Sequence, residues 1–565
     1  MRAYFKIVIL ILLGFVLFLL SFCRAKQLPT YADLVLVNGN LVTMDTANPR
    51  AQAIAIKGDK ILQVGSNEEI KKLIGGETES IDLGSKTVIP GLIDAHLHFM
   101  GLGSARMQLN FVGTASKEEI IDQVAKRVAE LQKEEWVTGR GWDQNDWPVK
   151  KFPTYKDLDP VSPNNPITLR RVDGHASWVN SLALKMAGID EKTPDPPGGK
   201  IIRDPSTGKP IGVLIDRAQG LVSSLLPPPT RERQKEMALL AAKECLSLGL
   251  TGIHDAGAGK ETIDLYRELI DTGGLNFRIY AMIRGPSDFA DAYMDEGPEV
   301  GYGDNRLTIR SIKISADGAL GSRGAALLEP YSDDPGNRGL ITFDEERAYK
   351  TMVKALRSGF QVCIHAIGDR ANRLVLDLYE RAFKEVPEAQ DHRFRIEHAQ
   401  ILHPDDLPRF APLGIIASMQ PTHATSDMYW AGDRLGTERL AGAYAWKSLL
   451  NTGVVIAGGS DAPVEDANPL WGIYAAITRQ DHKGWPEGGW YPEQRVSREE
   501  ALKMFTINAA YTAFEEETKG TLTSGKLADM VVLSDDIMTI PPARILQAKA
   551  LMTILGGKVV YKTED

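Results

Sequence analysis

Val88-Ile89-Pro90-Gly91-Leu92-Ile93-Asp94-Ala95-His96-Leu97-His98 is an apolar run ending in two histidines one residue apart. Residues i and i+2 of a β-strand point to the same side, so both imidazoles leave the end of one strand in the same direction and can hold one metal ion. A surface histidine pair would read the same way in isolation. The rest of the chain decides between the two.

The same arrangement recurs in order along the chain. Phe360-Gln361-Val362-Cys363-Ile364 runs into His365, Arg393-Phe394-Arg395-Ile396-Glu397 into His398, and Val454-Val455-Ile456-Ala457-Gly458-Gly459-Ser460 into Asp461. Leu307-Thr308-Ile309-Arg310-Ser311-Ile312 leads into Lys313. Lys and Asp are almost never fully buried unless paired. A row of purely structural core residues is therefore expensive at Lys313 and Asp461, and a site is the better reading.

Nine stretches have the texture of strands that could line a barrel: 88–95, 167–172, 250–255, 277–283, 307–315, 360–365, 393–398, 415–420 and 454–460. They alternate with helical segments, the rhythm of parallel βα units. Ser116 to Glu119 and Ser497 to Glu500 open helices as capping boxes, and Gly359 closes one. A (β/α)₈ barrel needs eight strands. More than 150 residues separate the first strand from residue 250, far more than a βα loop requires, so 167–172 falls to an insertion at about 130–232 after strand 1. His96/His98, Lys313, His365, His398 and Asp461 then sit at the C-terminal ends of strands 1, 4, 5, 6 and 8, where such barrels carry their chemistry. The short strands within 26–87 and 516–565, with turns at Asn38-Gly39 and Gly556-Gly557, read as one small β-sandwich built from both termini around a barrel at 88–515.

The 565 residues allow a large core and more than one domain, and 43% hydrophobic with 25% charged residues excludes a disordered chain. The net charge of −9 is diffuse, with no basic cluster of the kind nucleic acid requires. The expected partner is a small molecule, and at most a second copy of the chain. Arg2 and Lys6 precede the apolar stretch Ile7 to Leu20 and then Ser21-Phe22-Cys23-Arg24-Ala25, the pattern of a secretory signal over residues 1–25. A retained membrane anchor is the alternative, but a span usually needs about 20 apolar residues. Phe22 is bulkier than a lipoprotein signal at Cys23 normally allows. Loss of this segment removes three basic residues and takes the charge from −9 to −12. Cys245 and Cys363 remain, both in apolar surroundings that favour buried free thiols over a disulfide.

With Asp173-Gly174-His175-Ala176-Ser177-Trp178-Val179-Asn180-Ser181, Ala316-Asp317-Gly318-Ala319-Leu320-Gly321-Ser322-Arg323, Ile364-His365-Ala366-Ile367-Gly368-Asp369, Glu397-His398-Ala399, Gly459-Ser460-Asp461 and Gly520-Thr521-Leu522 to Asp529 added to the opening stretch, the chain resembles the amidohydrolase superfamily. More narrowly, it resembles amidohydrolase family 3, which includes N-substituted formamide deformylases. The resemblance implies a hydrolase with one or two divalent metals, usually zinc. His96 and His98 would hold the first metal with Asp461, and His365 and His398 the second. A Lys313 carboxylated by CO2 would bridge them as a carbamate anion. If Lys313 stays an amine, a single-metal site follows, and Asp317 is a substitute ligand. A bound Zn²⁺ lowers the pKa of its water to about 7. Metal-bound hydroxide would then attack a non-peptide carbon-nitrogen bond, with Asp461 moving the proton to the leaving amine. His175, Trp142, Trp178, His254, Arg323 and His423 are candidates to orient substrate, and the tryptophans would make the pocket aromatic. An N-substituted amide or formamide is the leading substrate class. A deaminase on the same scaffold is the nearest alternative, and a non-catalytic binding or regulatory protein the more distant one.

The N-terminal segment gives a first testable expectation: the chain is exported to the periplasm or the medium and its mature N-terminus lies near Lys26. Mass spectrometry of the exported protein checks this, since an intact Met1 would mean an anchor and a lipidated Cys23 a lipoprotein.

Overall fold

The computed structural model describes residues 31–563; the expected signal lies outside the described residues. Eight parallel strands form the barrel: β1 (Leu92–Leu97), β2 (Leu250–Ala258), β3 (Arg278–Arg284), β4 (Leu307–Ser315), β5 (Gln361–Ala366), β6 (Arg395–His398), β7 (Ile416–Met419) and β8 (Ile456–Gly458). Each pairs in parallel with the next, from Leu250 beside Leu92 to Met419 beside Gly458. The apolar runs that mark these strands are buried on both faces, as parallel strands covered by helices must be.

The seam between β8 and β1 closes differently. Asp461 donates its backbone N–H to His96 O at 2.8 Å, and His98 to Ala462 O at 2.8 Å. The Asp94 carboxylate accepts the backbone N–H of Ser460 at 3.0 Å and that of His96 at 3.0 Å. The two strands approach so closely that a Cβ on Gly459 would lie 2.6 Å from His96 N. Only glycine fits there.

The opening stretch is not one strand. Thr87–Pro90 belongs to a six-stranded sheet with Met530–Leu533, and the barrel begins only at Leu92. The break falls at Pro90, which has no N–H to give a ladder, and at Gly91, where a Cβ would lie 2.2 Å from Thr251 Oγ1. The chain passes there from one sheet to the other. That six-stranded sheet also contains Ala550–Leu555, Lys558–Lys562, Asn40–Val42 and Arg50–Ala51. It faces a four-stranded sheet of Leu34–Val37, Ala53–Lys57, Lys60–Gly65 and Glu79–Asp82 across a core of Leu36, Leu41, Ile54, Val88, Met530 and Ile554. Both ends of the described chain thus share one sandwich.

Ile167–Arg171 lies outside the barrel, in a separate six-stranded sheet that runs in sequence from Leu109–Asn110 to Pro210–Asp216. The sheet therefore starts earlier than residue 130. The helix Lys117–Glu130 goes with it, its Ile120 and Val124 packing with Val137, Ile167 and Leu169. By sequence this amphipathic helix reads as a barrel helix. The helix that returns the chain to β2 is Arg231–Ser247, packed so tightly on Phe99–Ala105 that a Cβ on Gly103 would lie 1.9 Å from Met237 O. Cys245 and Cys363 are buried free thiols. Ser497 and Glu500 form the capping box read from sequence, and Gly359 ends its helix at φ 77°. Among the described residues no helix is long and apolar enough to cross a membrane.

The sandwich is pinned to the barrel by a buried ion pair. Asp529 accepts from Arg278 Nε at 2.6 Å and Nη2 at 2.8 Å, and from Gly556 N at 2.8 Å. Burial opposes ionisation of Asp529, but Arg278 holds its carboxyl below the usual range. Its contribution is therefore present above the unfolded value of about 3.9 and is lost as pH falls through the lower folded value. Asp529→Ala should cost about 3–5 kcal/mol, because it strands the Arg278 guanidinium. The double variant Asp529→Leu/Arg278→Met should recover most of that loss, and denaturant unfolding at pH 7 measures both.

Candidate active site

The strand ends bring the sequence candidates together. His96 lies near the end of β1, and His98 follows it at the entrance to the helix Phe99–Ala105. Lys313 is on β4, His365 on β5 and His398 at the end of β6. Asp461 follows β8. His398 and Asp461 adopt left-handed backbone conformations, φ 74° and 58°, which turn their side chains off the strand axis at an energetic cost that active sites commonly carry.

Asp461 is the common vertex. Its Oδ1 is 3.1 Å from His98 Nε2 and 3.5 Å from His96 Nε2, and its Oδ2 is 3.7 Å from His423 Nε2. Two groups have ligand atoms within 4.8 Å of one another, His96/His98/Asp461 and His398/His423/Asp461. The first was legible in the sequence. The second places His423, expected only to orient substrate, at ligand distance. His365 is close to this group, its ring 4.5 Å from that of His398, while its Nε2 lies 3.4 Å from Asp317 Oδ1. Asp317 itself accepts backbone N–H groups from Ala326, Ile367 and Gly368, so its carboxylate chiefly anchors loops.

The donor set fits a divalent metal. His96 Nε2, His365 Nε2, His423 Nε2 and Asp461 Oδ1 are buried with no hydrogen-bond partner among the described residues, a costly arrangement unless a cation satisfies them. The remote ring nitrogens are held: His96 Nδ1 donates to Glu397 Oε2 at 2.5 Å, and His398 Nδ1 to Gln420 Oε1 at 2.7 Å. Such bonds fix the tautomer that turns Nε2 toward a metal. Burial pushes His96 down to about 4 and His398 well below its ordinary value, so both are neutral and ligand-competent at pH 7. Burial opposes ionisation of Asp461, but the adjacent His98 imidazole and those of His96 and His398 hold it well below the usual carboxylate range. Burial also lowers Lys313, against the pull of Glu397 and Asp461.

Glu397 is the residue that sequence reasoning missed. It is fully buried, pairs with Arg395 Nε at 3.3 Å, and is held down to about 2 because Arg395 and His96 outweigh its burial. Arg395 in turn donates to His254 Nδ1 at 3.0 Å and to Cys363 Sγ at 3.2 Å. His254 therefore belongs to the barrel floor rather than to the mouth. The signal was present: two charges at i and i+2 inside an apolar strand must share a buried face.

Among the other candidates, His175 reaches from the insertion to within 5.5 Å of the His365 ring and donates Nδ1–H to Asp216 at 2.6 Å. Trp142 does not line the site. A bulge at Gly141 turns it onto the face of Val137, where it is fully buried against Trp147 and Trp178 and its indole N–H donates to Leu169 O. Trp178 lies in the same core, its indole N–H donated to Thr154 O. Arg323 gives both its Nε and its Nη2 to Asp333, so its guanidinium is already engaged.

The model of the Amidohydrolase family matches residues 79–561. The chain belongs to the amidohydrolase family. Its relatives include the Arabidopsis thaliana protein LONG AFTER FAR-RED 3, 37% identical over 94% of this chain and 92% of that protein. The N-substituted formamide deformylase of Arthrobacter pascens is 29% identical over 94% of this chain and 98% of its own. Among solved structures, an uncharacterized metal-dependent hydrolase from Pyrococcus horikoshii OT3 has a TM-score of 0.71 at 27% identity, covering 90% of this chain and 99% of its own. This amidohydrolase is thus a member of a metal-dependent hydrolase superfamily.

Removing the carboxylate that orients His96 should weaken metal binding without abolishing it. Glu397→Gln is expected to lower metal affinity about 10- to 100-fold, read by competition with a chromophoric chelator. His96→Ala should lose metal and turnover together.

Proposed function

We propose that this amidohydrolase cleaves a non-peptide carbon-nitrogen bond of an N-substituted amide or formamide, using two divalent ions, zinc in the first instance. The observation that carries the reading is the Asp461 carboxylate, shared between two histidine pairs, in each of which one buried nitrogen, Nε2 of His96 and Nε2 of His423, has no hydrogen-bond partner among the described residues. The Arthrobacter pascens relative, matched over nearly its whole length, supports the formamide class. His96 and His98 would hold one ion with Asp461, and His398 with His365 or His423 the other. When bound, the ions supply an acidified water and polarise the substrate carbonyl.

The chain's own residues do the rest. Asp461, ionised and central, accepts the proton of the attacking water and returns it to the nitrogen of the leaving amine, so that carboxylate and amine are both released. Glu397 keeps the His96 ring fixed, and His175 closes over the mouth from the insertion, oriented by Asp216. Lys313, with its ammonium disfavoured by burial and no ion pair among the described residues, has the amine that could add CO2 and lose a proton, and the resulting carbamate would supply an anionic metal ligand. Export of the chain rests on residues 1–25 alone.

Asp461→Asn separates proton transfer from metal binding. It should retain much of its metal and lose about 10²- to 10⁴-fold in turnover, measured as paired metal content and formamide hydrolysis. Wild-type turnover with the metals in place would move the proton to another group, with His175 or His423 first.

A further inference from the structure

Three guanidinium groups at the mouth of the barrel have no carboxylate. Arg140 and Arg170 are register partners on the parallel strands Val137–Trp142 and Ile167–Arg171 of the insertion, and so share a face of that sheet. Arg284 ends β3, in register with Lys313, and its Nε lies 3.7 Å from where a Cβ on Gly257 would stand at the end of β2. Arg140 is 8% exposed and gives Nη2 to Val172 O at 2.8 Å. Arg170 gives Nε to Gly174 O at 2.9 Å. Among the described residues none of the three forms an ion pair, and the guanidinium of Arg284 makes no hydrogen bond.

Their neighbours are otherwise engaged. Asp173, the carboxylate whose charge acts on both Arg140 and Arg170, is clamped by Arg171 and accepts the backbone N–H of His175. By contrast, Arg171, Arg323 and Arg434 each have an aspartate partner. The three unpaired groups also oppose one another. Burial and then Arg170 bring Arg140 down to about 10, and burial and then Arg284 lower Arg170. Arg170 keeps exposed surface although protein surrounds it, the position of a side chain lining a concave mouth. A positive charge without a carboxylate partner is costly for the buried Arg140 unless an anion enters, and Arg170 and Arg284 keep exposed surface that an anion can reach.

We infer that Arg140, Arg170 and Arg284 form an anion subsite, and that the substrate is an amide bearing a carboxylate, which this subsite holds while the amide carbon faces Asp461. The planar guanidinium fork matches a carboxylate with paired hydrogen bonds. Two of the three arginines come from the insertion, which makes that sheet the element that selects the substrate. The inference rests on the reading of the site as an amide-hydrolysing centre.

The probes are N-formylphenylalanine and its neutral analogue N-formylphenylalaninamide, titrated calorimetrically into metal-loaded Asp461→Asn protein at pH 7, so that binding is read without turnover. The acid should bind about 100-fold tighter than the amide. Arg170→Met and Arg140→Met should each weaken the acid about 10- to 100-fold and leave the amide unchanged. Arg170 is exposed, so its variant remains informative if Arg140→Met fails to fold. Equal binding of acid and amide, no binding of either, or a preference that both variants preserve would overturn the subsite. Selective binding of the acid with no formamide hydrolysed by the wild-type enzyme would uphold the subsite and sink the formamide reading. Hydrolysis of both probes at equal kcat/KM would do the reverse.

Discussion

The carboxylate of Asp94 accepts the backbone N–H groups of His96 and Ser460 and so ties the first barrel strand to the last. His96 and Asp461 stand 365 positions apart in the sequence, and closing the ring is what makes them neighbours. Asp461 N donates to His96 O across the seam, and Gly459 lets the two strands meet at a distance no side chain would tolerate. The site is therefore assembled by topology. A barrel left open at this seam would keep every candidate ligand and lose their convergence.

Below that seam, charge decides which way the ligands face. Arg395, buried without solvent, is matched by Glu397, and Glu397 spends its other oxygen on His96. A buried pair of this kind contributes little net stability; its value here is orientational, since it fixes the ring nitrogen that remains free. The same economy holds at the other end of β3, where Arg278 and Asp529 join the sandwich to the barrel. At the mouth the matching stops, with Arg140, Arg170 and Arg284 left unpaired. Charge is matched at these two architectural pairs and left unmatched at the proposed anion subsite.

What was legible in the sequence follows from short-range physics. Strand alternation put His96 and His98 on one side, burial cost singled out Lys313 and Asp461, and the order of apolar runs gave eight barrel strands once Ile167–Arg171 was set aside. Caps and glycines marked helix ends at Ser497 and Gly359. Errors arose where a local pattern had two solutions. The run from Val88 reads as one strand but serves two sheets, because Pro90 and Gly91 break the ladder rather than the hydrophobicity. Trp142 reads as a pocket aromatic until the bulge at Gly141 reverses its face.

The sequence alone thus determined the fold class, the strand ends that gather the candidate ligands, and the residue types able to hold a metal, because each depends on periodicity and on the cost of burying a charge. Only the tertiary structure decided that His423 joins Asp461 at ligand distance, that Glu397 holds the His96 ring while Asp317 accepts loop N–H groups, and that Arg140 and Arg170 stand side by side without a carboxylate. Those relations span tens to hundreds of residues. They are set by ring closure and sheet packing, which no local pattern encodes.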